Sequence, residues 1–560
     1  MLTREFFKSA LIPAPPNKRR ILNYTKLILI ISATIIASTI PFHRSFGTDP
    51  YATIFNSIAA DSYYYLRIAS VYLDNGIISF DGSTPTNGFM PLWQIYLILI
   101  GHITNINTQD PIKFIELAFF SSLAFFTIGN AINVIALHRL ARSVPIPLLI
   151  LLICPGSFFW LFSIPYRIDF DPGLMYGFSS WSFVNGMESS IGYFIFSFLL
   201  LLMSREKLWT QSYFTFFISG LLSFLIFMSR LDDIFLIFSI LIVFTYRFYA
   251  QDHNDVAKKW LCFLAIPILG TIIYVIVNLT LVGNALPTSG ESKTSFLSFP
   301  TLASLSDFKL FELFSGHDIM KYSTRLIPNF VFLFFGIMIL AIFAKKIPKD
   351  YRCSLICAIS LYMVLKYSFL ISSVEVMHQG YWYYTIGNIS MGLVIAICLG
   401  LFLERKDIVL NSKSLSLILI AVFLNTAWAV QHRVARLDDK LYSSVFSHVC
   451  QNASEIRNLI IDASKDANAS AKIIDTEDGI YAFCLNLPSL SFTGLASSPE
   501  ILDRRNEVGF FKLATKTGHV FLVDSIVGNS RYGSSEALKE EGFEAAQLFK
   551  HGPIVVSKIF

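Results

Sequence analysis

The chain has 560 residues, 54% of them hydrophobic, 15% aromatic and only 15% charged, with a formal net charge of +5. A soluble domain carries roughly 25% charged residues, so the composition excludes an ordinary soluble protein and points to an integral membrane protein with several spans. The positive charge sits in short clusters beside apolar runs, a topology signal rather than a nucleic-acid surface.

Apolar runs close to the roughly 20 residues that a crossing needs lie at 25–42, 112–137, 145–163, 188–204, 212–228, 234–249, 260–281, 328–344, 353–371, 385–403 and 413–430, which makes eleven spans. No small-x-small cleavage site follows the first, so it does not read as a signal peptide. Pro91–Ile103, PLWQIYLILIGHI, is apolar but too short to cross, and reads as an interfacial or re-entrant helix. If it does not cross, the basic clusters at 18–20, Arg139 with Arg142, Arg205 with Lys207, 258–259, 345–349 and 405–406 share one side. The positive-inside rule then puts the N-terminus in the cytoplasm and the C-terminus outside. The larger outer loops are 43–111, 164–187 and 282–327, with short ones at 229–233 and 372–384. Arg139 to Arg142 is in this reading a topology signal and not a site.

Residues 1–430 therefore form the membrane domain, and 431–560 form a soluble extracytoplasmic α/β domain. In the tail, Leu437 to Ala463 reads as a helix, and AKIIDT, LSFTG, HVFLVDSI and PIVVSKIF read as strands with helical material between them. The seven cysteines have no CxxC spacing, so zinc is not expected. Cys450 and Cys484 lie in the tail, where an extracytoplasmic setting would let them pair.

The outer loops carry the residues with chemistry. Asp61 precedes a helical segment in which Tyr64, Ile68, Val71 and Tyr72 share a face. It is either the N-cap of that helix or a reactive carboxylate. The turn-rich stretch Ser79–Trp93, SFDGSTPTNGFMPLW, leads straight into the short interfacial helix, as an ordered loop folded on the membrane surface would. Asp81 reads first as a turn residue. Glu188 stands at the mouth of a span, where an acid is costly unless paired or solvated. Its alternative is a helix-start acid favoured by the dipole.

An acid and aromatics after the first span, then FDG, TNGF and PLW, resemble the GT-C superfamily of polytopic glycosyltransferases, nearest its bacterial arabinofuranosyltransferase-like branch. NGMESSIGYF (185–194), SRLDD (229–233), GNALPTSGESK (283–293) and, in the tail, DTEDGIYAF and SFTGLASSPE resemble further motifs of that branch. Met90 stands where related sequences often have histidine, and Thr493 where an acid is common. The resemblance implies an all-α polytopic GT-C-like fold with a C-terminal extracytoplasmic α/β domain. It also implies transfer of a sugar from a polyprenyl-phosphate donor to a glycan, glycolipid or protein acceptor at the outer face of a bacterial cytoplasmic membrane, with inversion.

Such a reaction needs a base for the acceptor hydroxyl and positive charge for the departing phosphate. Asp61 is the candidate base and Glu188 the second carboxylate, placed to orient Asp61, bind the acceptor or ligate a metal. Arg230 and Lys293 are the candidates for the phosphate, against the alternative of snorkelling interfacial cations. Asp232 and Asp233 are expected to pair with Arg230. Tyr64, Asn87, Asp232, His378 and Trp382 are candidates for binding substrate, although aromatics near 378–384 also suit an interfacial belt. Asp169 and Asp171 form a DxD that would hold a divalent ion, Mg or Mn; no other cofactor is implied. Asp475, Glu477 and Asp478 either contact acceptor glycan or form a solvated turn.

The rival classes are a transporter or flippase of lipid-linked sugars, an anchored scaffold, and a surface-polysaccharide polymerase or ligase. A transporter predicts inverted repeats and charged mid-membrane helices. The spans are nearly free of charge, with Lys366 the exception. Eleven spans exceed what an anchor requires, and a polymerase would carry an arginine-rich outer loop.

Overall fold

The computed structural model describes residues 58–108, 110–153, 183–251, 255–291, 317–374, 381–408, 447–466, 471–476, 479–492, 500–501, 508–525, 539–552 and 554–559. The membrane half contains α1 (Ser62–Asn75), α2 (Pro91–Ile103), α3 (Pro111–Leu140), α4 (Ile146–Ile153), α5 (Ser189–Met203), α6 (Glu206–Gln211) and α7 (Tyr213–Ser229). It continues with α8 (Ile234–Tyr249), α9 (Val256–Val282), α10 (Thr288–Glu291), α11 (His317–Phe343), α12 (Tyr351–Ser373) and α13 (Thr385–Arg405). The tail adds α14 (Ala453–Asp466), β1 (Ile473–Asp475), α15 (Ile480–Leu485), β2 (Ser489–Ser491), α16 (Phe510–Lys516), β3 (Phe521–Ser525), β4 (Ala545–His551) and β5 (Ile554–Ile559).

Local sequence sets several helix ends. Asp110 accepts a hydrogen bond from Lys113 N ahead of Pro111, Ser212 from Thr215 N, and Asp350 from Arg352 N, so a side-chain oxygen meets an orphan N–H at each start. α1 stops where Gly76 turns left-handed at φ 72° and donates back to Tyr72 O. Among the described residues, five helices are long and apolar enough to cross a membrane: α3, α9, α12, α13 and the Asn329–Lys346 stretch that closes α11. α2, α5 and α7 are shorter apolar helices. The expected spans 25–42 and 413–430 lie outside the described residues, and of 145–163 only α4 is described.

The helices approach closely where side chains are small. A Cβ on Gly220 of α7 would lie 1.9 Å from Phe263 O of α9, and one on Gly392 of α13 would lie 2.2 Å from Leu152 O of α4. Without a hydrophobic drive between helices in lipid, such close backbone packing supplies the attraction. Arg247 and Arg352 tie helix ends together at one end of the bundle. There Arg352 bonds Glu404 and Leu140 O, Arg247 bonds Glu206 and Ile347 O, and Tyr351 Oη donates to Met203 O. α1, α2 and the tail lie at the opposite end.

Among the described residues the tail carries a five-stranded mixed sheet in the order β2-β1-β3-β5-β4, with β1 parallel to β2 and β3 and with β5 antiparallel to β3 and β4. The stretch read as helical before the last strand instead forms β4, a largely exposed edge strand paired with β5. Its lack of clear alternation hides it from a periodicity reading. Cys450 and Cys484 are joined in a disulfide.

Candidate functional site

α1 begins at Asp61, which is half-buried. Asp61 occupies the N-cap position but is itself helical in backbone (φ −58°, ψ −18°), and its side chain makes no capping hydrogen bond. The cap is therefore not the role of this carboxylate. The start of α1 is pinned to the segment leading into α5: Ala59 N and Ser62 Oγ both donate to Asn185 O, at 2.9 and 2.6 Å. Gly186 turns there at φ 74°, where a Cβ would sit 2.8 Å from Ile58. Its carbonyl receives the Trp93 indole N–H of α2 at 2.8 Å.

Two residues further on stands Glu188, 1% exposed. Tyr65, one turn after Asp61 on α1, donates its hydroxyl to Glu188 Oε2 at 3.1 Å and receives Met90 N at 3.2 Å. Tyr65 thus links the helix of Asp61 to the second carboxylate. Arg230 donates Nη1 to Glu188 Oε1 at 2.9 Å, and its Nε and Nη2 reach Asp232. Its guanidinium lies over the Tyr383 ring, 4.1 Å from the centroid. The break between α7 and α8 permits this: Arg230 is extended (φ −151°, ψ 116°) and Leu231–Asp233 form a 3₁₀ turn.

The expected pairing of both aspartates with Arg230 is half right. Asp232 pairs with Arg230, but Asp233 is fully buried and pairs with Lys366 of α12 and with the Tyr362 hydroxyl. Lys366 also reaches Asp232 Oδ2 at 3.1 Å. Five charged groups thus alternate along one buried chain, Glu188, Arg230, Asp232, Lys366 and Asp233. Buried charges persist only when paired in this way. Lys366 is the member whose partners sequence reasoning missed; the signal was a lysine inside an apolar run.

The turn-rich loop is a polar clasp. Asp81 accepts from Ser79 Oγ, Ser83 N and Thr84 N at 2.7–2.8 Å, and from the Thr84 hydroxyl. Burial pushes the Asp81 carboxyl up, but these hydrogen bonds outweigh it and hold the group below its ordinary value. Asn87 uses both ends of its amide: Nδ2 donates to Leu286 O at 2.9 Å, and Oδ1 accepts from the backbone and hydroxyl of Thr288. It joins the loop after α1 to the segment between α9 and α10. Tyr64 points toward the tail, with its hydroxyl 3.4 Å from Ser491 Oγ and its ring edge-on to Phe80.

Asp169, Asp171, Lys293, His378, Glu477 and Asp478 lie outside the described residues, as does the side chain of Trp382. Asp475 is buried and accepts from Ala482 N at 2.7 Å. Among the described residues no group of three or more His, Cys, Asp or Glu side chains forms a metal site. Glu188, Asp232 and Asp233 do not fit a metal, because each already faces Arg230 or Lys366.

No protein-family model and no curated protein matches the chain. Among solved structures it is similar to the crystal structure of the Archaeoglobus fulgidus oligosaccharyltransferase in the apo form, at 12% identity and a TM-score of 0.46, covering 92% of this chain and 70% of that one. It is similar also to the same organism's oligosaccharyltransferase AglB in complex with an inhibitory peptide and a dolichol-phosphate (12% identity, TM-score 0.44, 90% of this chain and 70% of that one). The form tethered to an acceptor peptide containing the NVT sequon gives 13% identity and a TM-score of 0.41, over 89% of this chain and 69% of that one. Likeness at this level assigns neither a family nor an activity.

Proposed function

We propose that the chain is a GT-C-type glycosyltransferase of the arabinofuranosyltransferase-like branch, moving a sugar from a polyprenyl-phosphate donor to a hydroxyl of a cell-envelope glycan, glycolipid or protein. The observation that carries this is the placement of Asp61 at the start of α1, the helix whose Tyr65, one turn on, bonds the buried Glu188–Arg230 pair. The motif order in the sequence supports the same reading.

In this reaction Asp61 takes the proton of the acceptor hydroxyl as that oxygen bonds to the anomeric carbon. The bond from that carbon to the phosphate oxygen breaks, and its electron pair leaves with the polyprenyl phosphate. One such displacement inverts the configuration. Arg230 pairs with Glu188 and orients it, and Lys293 meets the leaving phosphate. Asn87 and Asp81 hold the loop that leads into α2, and Tyr64, Asp232, His378 and Trp382 remain the candidates for substrate contact. Asp169 and Asp171 remain the candidate ligands for Mg or Mn, and no step is assigned to a metal.

The arrangement in the membrane is part of the proposal. It comprises eleven spans within 1–430, a cytoplasmic N-terminus, the site at the outer face of a bacterial cytoplasmic membrane, and an extracytoplasmic domain over 431–560. The Cys450–Cys484 disulfide supports a tail outside the reducing cytoplasm. The end of the bundle that carries Arg247 and Arg352, opposite the tail, supports the same orientation.

The test is turnover. The protein in lipid is given a panel of polyprenyl phosphate sugars with a cell-envelope extract, beside Asp61→Asn, with and without chelator. Donor consumption by the wild type that is lost in Asp61→Asn is the expected result. Donor binding without consumption would overturn the transferase and favour a flippase.

A further inference from the structure

Among the described residues, the C-terminal domain meets the membrane half at α15, at Asn486 and Leu487 just after it, and at Ser491 of β2. The Phe483 ring of α15 packs 6.0 Å from Tyr63 of α1 and 6.2 Å from Phe114 of α3, centroid to centroid. Gly479, at φ 88°, lies against α1 so closely that a Cβ would be 2.9 Å from the Tyr64 ring. At the end of α15, Asn486 turns left-handed at φ 47°, and its Nδ2 donates to Asp74 Oδ2 at 3.4 Å.

Arg67 stands at the centre of this contact, on α1 and six residues past Asp61. It is 3% exposed. Its guanidinium donates Nε to Phe80 O at 3.1 Å, Nη1 to Asn486 Oδ1, and Nη2 to Leu487 O at 2.9 Å. Burial brings Arg67 down to about 10, against the opposing pull of Asp74, Asp81 and Asp475. Among the described residues no carboxylate is hydrogen-bonded to it. Its donors go to two carbonyls and an amide, so the charge stays buried only while all three acceptors are in place. Those acceptors belong to the loop after α1 and to the tail. One planar fork therefore ties three segments together, which a lysine does not reproduce.

We propose that Arg67 is a positioning residue, through which the C-terminal domain fixes the pose of α1 and of the Asp61 carboxylate at its start. The mechanical part stands on contacts alone; the catalytic part rests on the reading of Asp61 as base. The disulfide adds a second handle, because Cys484 holds α15 to Cys450 in the helical turn before α14.

The experiment uses the full chain in lipid nanodiscs and compares wild type, Arg67→Gln, Arg67→Lys and Asn486→Ala. Hydrogen exchange is followed in peptides covering 58–76 and 479–487, and steady-state turnover is measured with the donor found above. Arg67→Gln is expected to speed exchange about tenfold in both segments together while α12 and α13 are unchanged. Arg67→Lys should fall between, and Asn486→Ala, which removes one acceptor, should give a smaller rise in the same two segments. Turnover should lose kcat with donor KM unchanged, the pattern of a displaced base rather than a lost binding contact. Unchanged exchange in 58–76, or a rise spread equally over α12 and α13, would overturn the latch. Faster exchange with unaltered kcat, in a protein that needs Asp61, would overturn the positioning role. If the wild type consumes no donor, or Asp61→Asn stays active, the transferase reading fails while the exchange data still decide the latch.

Discussion

α9 and α12 are both long enough to span, yet 17% of the α9 span is buried in the protein against 67% of α12. α9 is the more apolar of the two. It presents Leu261, Ile268, Leu269, Ile272, Ile273 and Ile276 at the surface. α12 buries Ser354, Ser360, Tyr362, Lys366 and Ser373. Apolar content thus reports compatibility with lipid, whereas small and polar residues report which face meets protein.

The sharpest way to test the contrast is to remove the charge at the centre of α12. Lys366→Met leaves Asp233 buried beside Asp232 without its cation, and unfolding in nanodiscs should show a loss of about 3–5 kcal/mol. Next comes a close backbone contact of α9 with α7. Gly220→Ala drives a Cβ into Phe263 O, which should cost about 1–3 kcal/mol and expose α9 to crosslinking from lipid on its α7 face.

A third prediction concerns the loop between α1 and α2. The folded Asp81 carboxyl lies below its ordinary 3.8, so its stabilising contribution is full above the unfolded value and is lost as pH falls through the folded one. Exchange in residues 79–89 should rise below about pH 4 in the wild type. Asp81→Asn should exchange fast already at neutral pH and show little further change on acidification. The smallest effect belongs to the lipid face: Ile273→Ala, at a site 53% exposed, should shift stability by less than about 0.5 kcal/mol. A loss matching that of Lys366→Met would mean that α9 packs against protein and not lipid.

Several parts of the site were legible in the sequence because each was an exception to its surroundings. Glu188 and Arg230 are charges at the edges of apolar runs, and the structure brings them 2.9 Å apart. Asp61 was ambiguous, since an acid before a helix is as often a cap as a reagent. The structure shows a helical backbone at Asp61 and no capping hydrogen bond from its side chain, which removes the cap reading; its part in catalysis is a proposal. Asn87 reads in sequence as a candidate for binding substrate; in the structure its amide bridges to Leu286 and Thr288, joining segments about two hundred residues apart. Arg67 gave no signal of its own, because an arginine in an amphipathic helix is ordinarily a solvated one. β4 was missed because an exposed edge strand has no apolar face to read.

The apolar runs, the charge clusters beside them, the change of composition after about residue 430 and the acids of the turn-rich segments are all written in the residues themselves. These are local properties, set by hydropathy and by turn chemistry over a few residues. The tertiary structure alone decided which charge meets which. Asp233 turned from Arg230 to Lys366, Tyr65 came to bridge Asp61's helix to Glu188, and Arg67 closed on Asn486 and Leu487. The reason is physical: in a buried setting a charge takes whichever partner the packing of distant helices brings within hydrogen-bond reach, and no local pattern encodes that distance.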